Sequence, residues 1–220
     1  RVLEVGSGVG GVTQALLGAS QIVASDIDEE SLQFLRSRYA FHPGFSAVRW
    51  DATLPPSHPQ TPREVSAGEF DLIVAFNVLE HIEHDADVLK SWSSLLAPGG
   101  ILVLLVPYSQ ALFSPVDRAV GHYRRYGRKD LESLIQDCGG TLLENRFLNP
   151  LGVLGWIWNA KILGRSRLPE GQVALYSLIK PVIRPIEALL ERGFGLSMIC
   201  AASWHHETNS APKNSALSSR

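Results

Sequence analysis

Val2-Leu3-Glu4-Val5-Gly6-Ser7-Gly8-Val9-Gly10-Gly11 opens the chain with an apolar run that breaks into glycines. The run reads as a buried strand, and Val12 to Leu17 beyond the glycines is compatible with a helix. A glycine loop between strand and helix lets backbone N–H groups and a helix N-terminus approach a ligand closely. Two ligand classes fit the spacing. Gly6, Gly8 and Gly11 satisfy the dinucleotide pattern G-x-G-x-x-G, with Asp26 about 20 residues on, where that fold expects a ribose-binding acid. Glu4 with Gly6, Gly8 and Gly10 instead sets an acid two residues before the first glycine, at the end of the strand, which suits a ligand carrying an ammonium group. Glu4 favours the second reading.

Beyond this loop, strand and helix patterns alternate. Ile22 to Ser25 is apolar up to Asp26-Ile27-Asp28, and Leu32 and Leu35 follow at helical spacing, with Asp28 as N-cap and Glu29 and Glu30 in the first turn. Ala47 to Trp50 is a third strand ending at Asp51. Residues 52–69, with Pro55, Pro56, Pro59 and Pro62, read as an irregular loop. Phe70 to Phe76 is a fourth strand; Val88, Leu89, Trp92, Leu95 and Leu96 form a helical stripe that Pro98-Gly99-Gly100 terminates; Ile101 to Val106 is a fifth strand. A helix over Lys129 to Cys138 and strands over Thr141 to Arg146 and Ser197 to Ser203 complete the series. The alternation predicts an α/β, Rossmann-like, doubly wound, mostly parallel seven-stranded sheet covered on both faces.

These residues, taken in order, resemble the class I S-adenosylmethionine-dependent methyltransferases. Leu3-Glu4-Val5-Gly6-Ser7-Gly8-Val9-Gly10 matches the first motif, Asp26 the ribose position, Asp51-Ala52 the adenine position, Asn77-Val78-Leu79-Glu80-His81 the segment after strand four, and Leu95-Ala97-Pro98-Gly99-Gly100 the approach to strand five. The resemblance implies an antiparallel last strand and S-adenosylmethionine as cofactor, held by Glu4, Gly6, Ser7, Gly8, Gly10, Asp26, Ile27, Asp51, Ala52, Asn77 and Val78. A nicotinamide-dependent oxidoreductase and a non-catalytic binding module are the alternatives.

Methyl transfer from a sulfonium is an in-line displacement, so positioning supplies much of the catalysis and a base is needed only where the acceptor loses a proton. His81, just past the end of strand four, and His122 are the candidate bases. Asn77-Val78-Leu79-Glu80 is not the Asn/Asp-Pro-Pro-aromatic run of amino-methylating DNA enzymes, and neither Cys138 nor Cys200 follows a proline, so a nucleic-acid substrate is not expected. Glu80, His81, Glu83, His84 and Asp85 lack the His-Glu-x-x-His spacing and read as cap chemistry, so no metal is expected. Gly121-His122-Tyr123-Arg124-Arg125-Tyr126-Gly127-Arg128 is either a solvated basic loop or an anion-recognition segment, with Tyr123, Arg124, Arg125 and Tyr126 facing the acceptor.

Hydrophobic residues make up 45% and charged residues 19% of 220, which supports one domain with a large core and spare length. Residues 1–204 read as that domain and 205–220 as a disordered tail; with no initiator Met, a preceding segment is expected. Most of the spare length lies between the last two strands, where residues 148–195 form a helical insertion at the cofactor edge. Trp156 is assigned there to the acceptor. Leu175, Leu178, Ile179, Val182, Ile186, Leu189 and Leu190 recur at helical spacing among Lys161, Arg165, Arg167, Lys180 and Arg184, so the insertion reads as cover helices or as a surface that docks on lipid. The insertion and the Gly-His-Tyr-Arg-Arg-Tyr segment are similar to a bacterial methyltransferase subgroup found near glycosyltransferases of surface-polysaccharide pathways. That implies a small-molecule, sugar or lipid-linked acceptor, methylated at oxygen. Residues 1–117 carry 6 Lys and Arg against 14 Asp and Glu, net −8, whereas residues 118–220 carry 14 against 8, net +6. The basic half is therefore expected to face an anionic partner. Two distant cysteines and no secretory signal point to the cytoplasm, with peripheral contact at the inner face of the membrane.

Overall fold

The computed structural model describes residues 1–65, 69–164, 184–185 and 187–204. The strands are β1 (Val2–Val5), β2 (Ile22–Asp26), β3 (Phe45–Arg49), β4 (Phe70–Phe76), β5 (Leu96–Pro107), β6 (Gly140–Leu148) and β7 (Ser197–Trp204). They form one sheet in the order β3-β2-β1-β4-β5-β7-β6. β7 runs antiparallel between β5 and β6, and the pairs from β3 to β5 are parallel. The expected doubly wound sheet and antiparallel last strand are both present. Because the order reverses between β1 and β4, the loops leaving those two strands diverge and leave a crevice at their carboxyl ends.

The helices are α1 (Thr13–Leu16), α2 (Glu29–Arg38), α3 (Asp85–Ser93), α4 (Pro115–Ala119), α5 (Arg128–Asp137) and α6 (Gly152–Trp156). Leu32 and Leu35 of α2 are buried with Ala24 and Ala47 of β2 and β3. The larger core lies under β1, β4, β5 and β7, where Leu3, Ile73, Leu102, Leu104 and Ala202 meet Leu89 and Trp92 of α3 and Leu131 and Ile135 of α5. As its position suggests, Asp28 caps α2: its Oδ2 accepts from Ser31 N at 3.0 Å, with Glu29 and Glu30 in the first turn.

Two elements differ from the pattern in sequence. α1 is a single turn inside the expected Val12 to Leu17. α3 stops at Ser93, before Leu95 and Leu96 of the apolar stripe. Ser93 and Ser94 turn their hydroxyls onto the carbonyls of Lys90 and Ser91, an alternative to the helix ladder, and the Leu95 carbonyl accepts from Phe70 N at 3.1 Å, so Leu96 enters the sheet beside Phe70. The expected helical insertion is present in its described part. After β6, α6 continues as a π-helix, Ile157–Ile162, anchored by Trp156 and Ala160 on Val116 of α4. Leu175, Leu178, Ile179, Val182 and Ile186, and the tail from 205, lie outside the described residues.

Candidate active site

The glycine loop is shaped by its neighbours. Gly6 N and Ser7 N both donate to Ser25 O at 2.9 Å, which turns the chain sharply after β1. Gly6 sits at φ +70°, and a Cβ there would lie 2.4 Å from Val78 Cγ2, so the loops after β1 and β4 touch only because residue 6 has no side chain. Gly10, at φ +84°, meets Leu35 of α2 in the same way. Asn77, directly after β4, also adopts the left-handed region, φ +54°, which an asparagine tolerates better than most residues.

Asp26 ties two loops together. Its Oδ2 accepts from Gly8 N at 2.7 Å and its Oδ1 from Asp28 N at 2.9 Å. A carboxylate has about four lone-pair sites, so acceptor capacity is left for the hydroxyls of a ligand. Asp51 takes Thr53 N and Oγ1 on Oδ1, at 3.0 and 2.7 Å, and the Ala52 carbonyl is fixed by Trp92 Nε1 at 3.0 Å.

Val5, Gly6, Asp26, Ile27, Trp50, Asp51, Ala52, Thr53, Asn77, Val78, His81 and Ile82 line a cavity of about 450 Å³ at the carboxyl ends of β1 to β4. Seven of the eleven expected cofactor residues and His81 are on that wall. Ser7, Gly8 and Gly10 lie in the loop beside it. Glu4 does not reach it: the side chain is buried under the loop and accepts from Thr13 Oγ1 at 2.6 Å, and burial pushes its carboxyl up to about 7. The structure thus gives Glu4 a role in holding α1 against β1. Trp50, Thr53 and Ile82 extend the wall beyond the residues chosen from sequence; Trp50 was detectable as the neighbour of Asp51. The buried Trp50 Nε1 has no hydrogen-bond partner, and Ile27 exposes an apolar face. A glycine cradle, an acid at the ribose position, an apolar wall and an unused donor fit an adenosine-bearing ligand.

On the β4 side, His81 meets His122 edge to face, with ring centroids 4.6 Å apart. His122 Nδ1 lies 2.9 Å from Asp117 Oδ1, and Arg125 Nε donates to the same oxygen at 2.9 Å. Asp117 is fully buried and caps α4 through Ser114. Burial raises its carboxyl, but bonds from His122, Arg125 and Ser114 outweigh that and hold it below the ordinary value. Burial, and then His122, lower the His81 imidazole. Glu80 is buried as well, pushed up to about 7 by loss of solvent.

The basic segment is largely turned inward. Arg124 pairs with Asp85 at 2.6 Å. Arg125, 5% exposed, pairs with Asp117 and stacks 4.2 Å over the Trp156 ring. Tyr126 is buried with its hydroxyl donating to Asp85 Oδ2 at 2.9 Å, and Trp156 Nε1 donates to Leu112 O at 2.9 Å. Of the five residues assigned to the acceptor, Tyr123 alone has its ring about half exposed and is joined to the site by its backbone N–H on Glu80 O, at 2.8 Å. The sequence showed the charges of Arg124 and Arg125 but not the acids that meet them.

Known proteins are similar to this chain in sequence and in fold. The methyltransferase domain family matches residues 3–102. A probable S-adenosylmethionine-dependent methyltransferase of Mycobacterium tuberculosis is 30% identical over 142 residues, 63% of this chain and 47% of that protein. A ubiquinone biosynthesis O-methyltransferase of Colwellia psychrerythraea is 25% identical over 160 residues, 71% of this chain and 58% of that one. The chain thus spans about half the length of the curated relatives it matches. An S-adenosylmethionine-dependent methyltransferase of Mesorhizobium loti shares the fold with a TM-score of 0.62 at 14% identity, over 92% of this chain and 89% of that one. These matches do not favour the nicotinamide reading. The glycine loop, the acids at the ends of β2 and β3 and the sheet order agree with these matches: residues 3–102 carry the pattern of a methyltransferase domain, and the chain is similar to the class I S-adenosylmethionine-dependent methyltransferases, which supports S-adenosylmethionine as the cofactor.

Proposed function

We propose that this protein transfers a methyl group from S-adenosylmethionine to a hydroxyl oxygen of a small-molecule, sugar or lipid-linked acceptor. The bound cofactor supplies an electrophilic methyl on a sulfonium; the chain's own residues hold it, place the acceptor and deal with the acceptor's proton. The observation that carries the reading is His81 on the cavity wall with His122 directly behind it, because oxygen methylation requires groups beside the acceptor that favour loss of its hydroxyl proton. Asp26 and Asp51 hold the ribose and adenine ends in this reading, and Tyr123 faces the acceptor. Leu154, Trp158 and Ile162 are exposed on the insertion with Lys161 between them, which supports an acceptor presented at a membrane surface. Among the described residues no helix is long and apolar enough to cross a membrane.

The test is incubation of a cell extract with donor labelled in its methyl group, followed by separation into lipid, polysaccharide, protein and small-molecule fractions. Label in the lipid, polysaccharide or small-molecule fraction as an alkali-stable methyl ether supports the proposal. Label in protein, or no label although the cofactor binds, contradicts it. Flotation with anionic liposomes checks the membrane contact, and absence of salt-sensitive binding leaves the insertion a packing role only.

A further inference from the structure

The Glu80 carboxylate is fully buried, and neither of its oxygens has a hydrogen-bond partner. A buried acid in that state calls for a proton, an ion or a water in the space it faces. Two imidazoles face the same space. His122 Nε2 lies 3.9 Å from Glu80 Oε1, and His81 stands edge-on to His122. One ligand atom each from Glu80, His81 and His122 lies within 4.8 Å of the other two.

The His122 ring is held for this purpose. Asp117 already accepts from Arg125 Nε and Ser114 N, so it meets His122 as an acceptor, Nδ1 carries the hydrogen and Nε2 is left facing Glu80. Arg125 fixes Asp117 from the other side. Carboxylate, histidine, then an open lone pair is the arrangement by which proteins orient a metal-binding imidazole. The 3.9 Å gap between Nε2 and Oε1 is too long for a hydrogen bond, yet two metal–ligand bonds of about 2.1 Å span it.

We propose that Glu80, His81 and His122 bind a divalent cation, zinc first, beside the methyl-donor cavity, with its open coordination position directed at the acceptor oxygen. The inference rests on the oxygen-methylation reading and deepens it. Two imidazoles and one carboxylate, with no thiolate, select a zinc-like ion over magnesium or calcium, and three protein ligands leave the fourth position open. There the cation stabilises the acceptor's oxyanion: the hydroxyl proton passes to solvent water, and the oxygen keeps the electron pair with which it takes the methyl, while the carbon–sulfur pair returns to sulfur. His81 and His122 then serve as ligands. Sequence spacing hid the site because the third ligand is His122, not His84.

The experiment is calorimetric titration of chelator-treated protein with zinc chloride, with cobalt absorption as a second readout of ligand type. One equivalent per chain is expected, with a tetrahedral cobalt spectrum, at least about tenfold weaker in His122→Ala and Glu80→Gln and more mildly weakened in Asp117→Asn. Circular dichroism establishes that each variant is folded, and His122→Ala carries the test if Glu80→Gln is not. Binding that survives His122→Ala, or no binding at all, overturns the proposal. S-adenosylmethionine titrated into the same metal-free protein separates the two readings. If the cofactor binds and methyl transfer runs at full rate without metal, the cation falls and the methyltransferase stands; if the cofactor does not bind, the methyltransferase reading itself fails.

Discussion

Gly6 and Asp26 carry the cofactor loop between them. In Gly6→Ala the new methyl would lie 2.4 Å from Val78 at a positive φ, so the loops after β1 and β4 must separate. The expected outcome is cofactor affinity lower by about tenfold or more together with a lower thermal midpoint, read by calorimetry and a melting curve. Glu4 makes a separate prediction. Its carboxyl titrates near 4.5 unfolded and at about 7 in the fold, where burial disfavours the charge. The folded state therefore binds the extra proton between those values, and the stability this contributes is complete below 4.5 and lost as pH rises through about 7. Glu4→Gln should flatten that part of the profile, so the urea midpoint of the variant falls less between pH 5 and pH 8 than that of the natural chain. An equal fall in both would remove Glu4 as the cause. At this scale the sequence was informative wherever a residue acts through its own loop, as Gly6, Asp26 and Asp28 do. In sequence Glu80 reads as cap chemistry and Asp117 is not singled out; the significance of both is their burial and their approach to His122 from opposite sides.

α3 couples the core to the cofactor. Trp92 is completely buried under the sheet, and its indole nitrogen holds the carbonyl of Ala52 on the cavity wall after β3. Trp92→Ala should cost about 3–5 kcal/mol in denaturant unfolding, as loss of a large buried ring does. Trp92→Phe keeps most of the packing and removes the donor, so it should weaken cofactor binding more than it lowers stability. α2 offers a smaller check: Asp28→Ala removes the cap on Ser31 N and should cost about 1 kcal/mol. Element positions were readable from apolar periodicity, but their ends were not. Leu96 continues the helical stripe of α3, and only its pairing with Phe70 shows that it belongs to β5. Whether the insertion touched sheet, solvent or lipid was equally out of reach, because it is Trp156 stacked on Arg125 and bonded to Leu112 that fixes where α6 lies.

Across the whole molecule, the charge split has a partly internal resolution. Arg124 meets Asp85, and Arg125 and His122 meet Asp117, so acids of the first half neutralise part of the basic half at the rim of the site. Such pairing does not show in a sum over sequence, and it reduces the cationic surface left for an anionic partner. The acids that remain at the carboxyl ends of β2 and β3, Asp26 and Asp51, stand on the cavity wall where a cofactor with hydroxyls and a positive charge is favoured. The most direct test of the account is calorimetric titration of S-adenosylmethionine, and in parallel NADH, into the natural chain and a folded Asp26→Ala variant. The account predicts one-site binding of S-adenosylmethionine, weakened by about tenfold or more in Asp26→Ala, and no binding of NADH. Absence of S-adenosylmethionine binding, an unchanged affinity in Asp26→Ala, or NADH binding in its place would contradict it.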